Sequence, residues 1–103
     1  SGEVMLFRLK GPLSFGAAKG ISERMMLVRN YKILILDITD VPRLGVTATL
    51  AIEDMMQEAK NNSRKAFVAG ANARVKERLS KFGVDGIIET RKEALEAALN
   101  ELA

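Results

Sequence analysis

The sequence of 103 residues contains no cysteine, no histidine and no tryptophan. The absence of cysteine excludes disulfide bonds, zinc-thiolate sites and thiol nucleophiles. The absence of histidine removes the commonest metal ligand and the commonest general base. Many hydrolytic and redox mechanisms are therefore excluded for this chain. We predict that it is not an enzyme and needs no metal or cofactor.

Long apolar runs and a strong charge imbalance are missing as well. The run from Ile33 to Leu36 stops at Asp37, and no run approaches the roughly 20 residues of a membrane-spanning helix. The 16 basic and 13 acidic residues leave a net charge of +3, an excess that does not by itself indicate nucleic acid. With 48% hydrophobic residues, the composition is that of one soluble domain with one core.

The sequence also predicts the domain boundaries and the cellular compartment. Ser1 and Gly2 precede the first strand-like run without an initiator methionine, and they resemble a remnant of cloning. We therefore expect residues 1–2 to be foreign and residues 3–103 to form one domain. A cysteine-free chain without a targeting segment fits the cytoplasm.

Hydrophobic periodicity predicts four strands. Val4 to Lys10 alternates with period two, which is typical of a half-buried outer strand, whereas Lys32 to Ile38 is apolar on both faces, as a central strand is. Lys65 to Ala69 and Gly86 to Glu89 are the remaining predicted strands, and there is room for a short extra strand near Leu13.

Helices are predicted between and after these strands. The first would be capped by Ser14 and extend from about Ala17 to Val28 before ending at Asn30. The core-facing stripes are Ala18, Ile21, Met25 and Val28; Ile52, Met55, Met56 and Ala59; Val75, Leu79 and Phe82; and Leu95, Ala98, Leu99 and Leu102. Only one methionine of each adjacent pair is expected to be fully buried. The alternation predicts an α/β fold with a mostly parallel or mixed sheet, flanked by about four helices.

The candidate functional residues follow the predicted strands, since ligands of open parallel sheets meet the carboxyl ends of the strands. Asp37 and Asp40 have the spacing of an acid-base or magnesium pair, but no further residue completes a catalytic set. We favour a structural role, in which a strand-exit aspartate accepts hydrogen bonds from loop amides. The full candidate edge comprises Asp37, Thr39, Asp40, Gly45, Thr47, Gly70 and Asn72.

Two pairs of these candidate residues lie in loops that precede helices, where exposed backbone amides favour binding of an anion. Gly45 with Thr47 opens one helix, and Gly70 with Asn72 opens the next. No complete glycine-rich phosphate motif occurs in the chain, so the nucleotide signal is weak. For Asn72 a helix-capping role is favoured over an anion site.

The charge is unevenly distributed along the chain. Seven basic residues and one acidic residue lie between Lys60 and Lys81. Arg74, Arg78 and Lys81 share one helix face, which forms a candidate basic surface facing phospholipid headgroups or nucleic acid. Because no aromatic residues are interleaved to stack bases, we favour a solvated face and do not expect nucleic acid as a partner.

The segment from Asp37 to Pro42, directly ahead of Gly45-Val46-Thr47-Ala48 and a helix, resembles a STAS domain (sulfate transporter and anti-sigma factor antagonist). The resemblance covers nearly the whole chain. It includes a leading strand that ends in Gly11-Pro12-Leu13 and a helix from Asn72 to Gly83. It implies the STAS-like α/β fold for residues 3–103.

The family has two branches, which differ in the loop before the second helix. In soluble antagonists this loop resembles Asp-Ser-Ser-Gly and its first serine is phosphorylated. Laid onto this chain, the acceptor falls on Val46, which has no hydroxyl group, and Thr47 is a weaker alternative. The other branch comprises the cytoplasmic C-terminal domains of SulP anion transporters, and the chain is most similar to those of cyanobacterial sodium-dependent bicarbonate transporters, with sulfate carriers as near neighbours.

The resemblance implies a noncatalytic regulatory and dimerisation domain on the cytoplasmic side of the plasma (inner) membrane. Its partners would be the membrane domain of the same transporter and a second copy of the chain, and some relatives bind nucleotides. Two alternatives stay open. One is a soluble antagonist of an anti-sigma factor that binds a kinase partner, and the other is a nucleotide- or anion-sensing module.

Overall fold

The computed structural model describes residues 3–13, 15–28 and 30–103. Within these ranges four strands alternate with four helices, which confirms the predicted α/β order. The predicted cap at Ser14, the foreign start at Ser1 and Gly2, and the side chain of Ala18 lie outside the described residues. The elements are β1 (Val4–Lys10), α1 (Phe15–Met26), β2 (Ile33–Asp40), α2 (Val46–Asn61), β3 (Lys65–Ala69), α3 (Ala73–Lys81), β4 (Ile87–Ile88) and α4 (Arg91–Leu102).

The four strands form one sheet in the order β1-β2-β3-β4, and every neighbouring pair is parallel. Each parallel pair needs a crossover connection, which the intervening helices provide. As predicted, β1 is an edge strand and β2 is central, with every residue from Ile33 to Ile38 buried. An isolated parallel bridge between Leu13 and Leu44 stands where a short extra strand was expected.

The sheet separates two hydrophobic clusters, because alternate residues of each strand face opposite sides. On one side Leu34, Leu36 and Val68 pack against α1, α2 and α3. On the other side Ile35 and Phe67 pack against Ala94 and Ala98 of α4. In the described part of the chain, α4 is thus the single helix on its side of the sheet.

The prediction of which face of α4 is buried is wrong in part. Ala98 is buried as expected and Leu102 is half-buried, but Leu95 is exposed and Leu99 is 65% exposed. Ala94 and Ala98 contact the sheet instead. Their small side chains let the helix backbone approach the sheet, and the larger leucines point away from it.

Helix α1 also ends earlier than predicted. It stops at Met26, and the amides of Leu27 and Val28 donate to carbonyl groups three residues back, at 3.1 and 3.2 Å. Such bonds tighten and terminate a helix. Val28, which was predicted to be in the core, is therefore exposed.

The methionine pairs behave differently from one another. Met25 is buried and Met26 is exposed, as expected for one pair. Met55 and Met56 are both buried, which contradicts the prediction for the other. Helix α2 packs between α1 and α3 as well as on the sheet, so its buried arc is wide enough for two adjacent residues.

Candidate functional site

The exit of β2 is organised around the side chain of Asp37, which is 3% exposed. Its Oδ1 accepts hydrogen bonds from the backbone amide of Thr39 at 3.1 Å and from Thr39 Oγ1 at 2.6 Å. Its Oδ2 lies 3.6 Å from Nη1 of Arg91 on α4. A buried carboxylate with both oxygens engaged stabilises the loop, which matches the structural role favoured from the sequence.

Asp40 lies beyond Asp37 and faces solvent. Its Oδ2 is 3.4 Å from Nη2 of Arg8, the β1 residue that neighbours this edge. The two aspartates therefore have separate arginine partners. Among the described residues no group of three or more potential ligands could hold a metal ion.

Gly70 joins the exit of β3 to the exit of β2. Its φ of +80° lies in the left-handed region, and a Cβ atom there would collide with the side chain of Thr39. Only glycine meets both requirements without strain. The two strand exits are thus in direct contact, and the structure brings together Asp37, Thr39 and Gly70.

Asn72 is the N-cap residue of α3, as predicted. Its Oδ1 accepts a hydrogen bond from the amide of Val75 at 2.8 Å, and its Nδ2 donates to the carbonyl of Pro42 at 3.0 Å. Both ends of the amide are used within the fold. The residue links the loop after β3 to the loop that precedes α2.

The loop before α2 carries the remaining predicted residues. Gly45 is the N-cap residue of α2 with extended backbone, and no side chain caps this helix. Its carbonyl accepts hydrogen bonds from the amide and Oγ1 of Thr49, at 3.0 and 2.8 Å. Val46 and Thr47, the first two helical residues, are exposed, so a side chain without a hydroxyl group occupies a surface position.

The candidate basic surface on α3 is smaller than its sequence indicates. Lys81 Nζ lies 3.0 Å from Glu77 Oε1, whereas Arg74 and Arg78 make no ion pair within the described part of the chain. Three more basic residues of this segment are paired, namely Lys60 with Asp85, Lys65 with Glu101 and Lys76 with Glu89. The three acidic partners from outside the segment reduce its excess of six positive charges to three.

A groove of about 530 Å³ runs between the ends of β1 and β2 and helix α4. Sequence reasoning found its strand side, which includes Asp37, Thr39 and Asp40, but missed its helix side. The sequence signal for the helix side was the pair Leu95 and Leu99, spaced i and i+4, but both were predicted to lie in the core. The helix side is formed by Thr90, Arg91, Lys92, Leu95, Glu96 and Leu99.

No helix among the described residues combines the length and the apolar character needed to cross a bilayer. Among the described residues, large exposed hydrophobic side chains lie on β1, at the end of α1, at the start of α2 and along α4.

Residues 1–98 match the STAS domain family. The chain is 37% identical over 105 residues to the bicarbonate transporter BicA of Synechocystis sp., an alignment that covers 96% of this chain and 19% of the relative. The chain therefore spans about a fifth of the length of this curated relative.

Two solved structures are similar over nearly the whole chain. The STAS domain of a SulP transporter from Vibrio cholerae superposes with a TM-score of 0.84 and 32% identity, covering 97% of this chain and 84% of that one. The anti-sigma factor antagonist SpoIIAA in its unphosphorylated form also superposes with a TM-score of 0.84, covering 97% and 91%. At 14% identity, the second likeness concerns the fold alone.

Proposed function

The chain belongs to the STAS domain family, and from this membership we propose that it is the noncatalytic regulatory and dimerisation domain of a SulP-type inorganic anion transporter. The observation that carries the proposal is identity above 30% over nearly the whole chain to the bicarbonate transporter BicA and to a SulP transporter STAS domain. The transported anion would be bicarbonate or sulfate. Residues 3–103 would lie on the cytoplasmic side of the inner membrane, beside the membrane domain.

The chemistry of the strand-exit edge supports a noncatalytic role. The acidic pair that the sequence offers for proton transfer is engaged, since Asp37 is held by Thr39 and Arg91 and Asp40 by Arg8. Groups fixed in this way stabilise loops. They hold the edge in one shape, which is what a docking surface requires.

The mechanism we propose is docking. Gly70 against Thr39, and Asn72 against Pro42, join the loops after β2 and β3 into one rigid edge. Changes at that edge would be transmitted to a transporter through contacts rather than through chemistry.

Two experiments test the transporter assignment. The reading frame that encodes this chain should contain about ten or more apolar segments of roughly 20 residues upstream of Val4. A frame without them would exclude the proposal. In addition, the corresponding domain of BicA can be replaced by residues 3–103, with a domain deletion as control. Bicarbonate uptake should be retained by the chimera and lost or deregulated in the deletion.

The runner-up is a soluble antagonist of an anti-sigma factor, which the exposed hydroxyl of Thr47 keeps open. Incubation with the kinase of such a system and ATP should leave this chain unmodified, because Val46 stands at the acceptor position. Stoichiometric phosphate on Thr47 would instead favour the antagonist function.

A nucleotide- or anion-sensing module is the third reading, favoured by the uncapped start of α2 at Gly45. It predicts NMR shift changes at Asp37, Gly45, Thr47 and Asn72 during titration with ATP. An unchanged spectrum at millimolar ATP would retire it.

A further inference from the structure

Three arginines near the strand-exit edge carry charge that the fold leaves unpaired. Arg74 and Arg78 lie one turn apart on α3, and Arg43 lies in the loop before α2. That loop touches the start of α3, because Asn72 Nδ2 donates to the carbonyl of Pro42 at 3.0 Å. Within the described part of the chain, none of the three guanidinium groups has a hydrogen-bond or ion-pair partner. Their charge is therefore available to a binding partner.

The two arginines of α3 lie on the flank of the helix that is nearer α2. Lys76 stands between them in the chain and lies on the other flank, where its Nζ is 3.2 Å from Oε1 of Glu89, just after β4. Arg74 is exposed, and Arg78 is half-buried. Because salt and solvent screen a half-buried charge less than an exposed one, a carboxylate that reaches Arg78 gains more than it would from an ordinary surface pair.

An apolar pair adjoins the arginines at the start of α2. Val46 is 50% exposed and Leu50 is 42% exposed, and the two lie one turn apart on the helix surface. We name the surface formed by Arg43, Arg74, Arg78, Val46 and Leu50 the arginine patch. Protein interfaces combine arginine with apolar contacts in this way, whereas a surface that binds only small ions needs no apolar part.

The acidic residues around the arginine patch leave its charge in excess. On α3, Glu77 is held by Lys81, with 3.0 Å between Oε1 and Nζ, and at the end of β2 Asp40 is paired with Arg8. Glu53, on the next turn of α2, makes no ion pair within the described residues. Three arginines against this one glutamate leave an excess of two positive charges. The patch therefore attracts carboxylates and repels a basic partner.

The place of the arginine patch in the fold distinguishes a soluble partner from a lipid surface. Helices α2 and α3 begin at the strand-exit edge. Glu3 lies at the opposite edge, where its carbonyl accepts hydrogen bonds from the amides of Lys32 and Ile33 at 2.8 and 3.0 Å. The seven residues of β1 separate the two edges by about 20 Å. With a membrane domain ahead of Val4, the patch lies at the edge away from the bilayer.

We propose that the arginine patch binds an acidic segment of a soluble cytoplasmic protein. Carboxylates of that segment would pair with the three arginines, and an apolar side chain would pack on Val46 and Leu50. The inference rests on the proposed function, which supplies the orientation, and it names the class of partner that docks at the strand-exit edge. Because charge attracts the partner, its affinity falls as the salt concentration rises.

The probe for this surface is a synthetic peptide of about 20 residues, long enough to form a helix, with glutamates on one face and leucines on the other. Fluorescence anisotropy measures its binding to the 103-residue chain. The double variant Arg74→Glu, Arg78→Glu should raise the Kd by about tenfold or more. The matched control is Lys19→Glu, Lys92→Glu, which makes the same change in net charge at two exposed lysines of α1 and α4. It should raise the Kd by less than about threefold.

The apolar part of the patch is tested with Leu50→Gln, which should weaken peptide binding by about threefold or more. Leu27→Gln is its control, because Leu27 is 82% exposed at the end of α1, away from the patch. Circular dichroism checks that each variant is folded. Arg43→Glu, in an exposed loop, keeps the experiment informative if the change at the half-buried Arg78 disturbs α3.

Three results would overturn the inference. One is equal weakening by the two double variants, and another is no peptide binding up to about 1 mM. The third is obtained with vesicles of phosphatidylserine and phosphatidylcholine. If the wild type sediments with them and Arg74→Glu, Arg78→Glu does not, the patch binds lipid instead. Each result leaves the transporter assignment intact, because the upstream reading frame and the BicA chimera test that assignment without reference to the arginine patch.

Discussion

Arg91, the first residue of α4, lies 3.6 Å from the buried carboxylate of Asp37 at the exit of β2. The two residues are separated by more than half the chain. Their contact ties the single helix on one face of the sheet to the central strand, at the same edge where Thr39 binds the other oxygen of Asp37.

Asp37→Asn should lower the free energy of unfolding by about 1–3 kcal/mol, because it removes the charge that strengthens hydrogen bonds in a buried site. Asp40→Asn is the matched control. Its exposed pair with Arg8 should contribute less than about 1 kcal/mol. Urea unfolding monitored by circular dichroism distinguishes the two, and equal losses would contradict a special role for Asp37.

Gly70→Ala should destabilise the chain by about 1–3 kcal/mol, since alanine is strained at positive φ and its Cβ would meet Thr39. Gly16→Ala offers a control in the first turn of α1, where the described residues outside its own turn place no atom within 4 Å of an added Cβ and alanine is the better helix former. Thermal melts should therefore shift in opposite directions. A neutral Gly70→Ala variant would mean that the two strand exits are not in contact.

Ile35→Asp should be among the most damaging single changes, with a loss of several kcal/mol, because it places an unpaired carboxylate in the fully buried centre of β2. Leu99→Asp introduces the same side chain on the same side of the sheet at an exposed position. At protein concentrations where the chain is monomeric, it should alter stability by about 0.5 kcal/mol or less. If Ile35→Asp melts like the wild type, the assignment of β2 as the central strand is wrong.

Asp85 should titrate abnormally. The hydrogen bond from Lys60 Nζ, at 2.6 Å, lowers the pKa of Asp85 below its ordinary value, and this outweighs the opposing effect of burial. Because the folded-state pKa is the lower one, the contribution of the pair to stability is present above the ordinary carboxyl pKa and is lost as the pH falls through the lowered value.

An NMR titration of the Asp85 carboxyl group in the wild type and in Lys60→Met measures this directly. The midpoint should rise in Lys60→Met and stay unchanged in Lys92→Met. A wild-type midpoint at or above the ordinary aspartate value would show that the hydrogen bond does not form in solution.

Local patterns were sufficient to predict the strands and the cap of α3 at Asn72. The limits of β1 and β3 follow from alternation and apolar runs, and the interaction between Asp37 and Thr39 involves neighbours two residues apart. The partnership of Asp37 with Arg91 could not be predicted, because it depends on how α4 is placed on the sheet. The same placement determines which face of α4 is buried. The small Ala94 and Ala98 pack on the sheet, and the larger Leu95 and Leu99 are exposed.

The ion pairs of the basic segment show the same limit. A count along the sequence finds a basic segment from Lys60 to Lys81, but the acidic partners of Lys60, Lys65 and Lys76 come from later parts of the chain. Charge read along a sequence therefore overestimates charge on a surface wherever the fold brings distant residues together.

The position of α4 has a consequence for synthesis on the ribosome. Until residues 91–102 have left the exit tunnel, Ile33, Ile35 and Phe67 have no helix to cover them, although the other face of the sheet can already pack. Nascent chains that end before α4 therefore present an apolar β-surface to chaperones and to one another. Translational pausing just ahead of Arg91 would extend that exposure, whereas rapid emergence of α4 from the tunnel would end it.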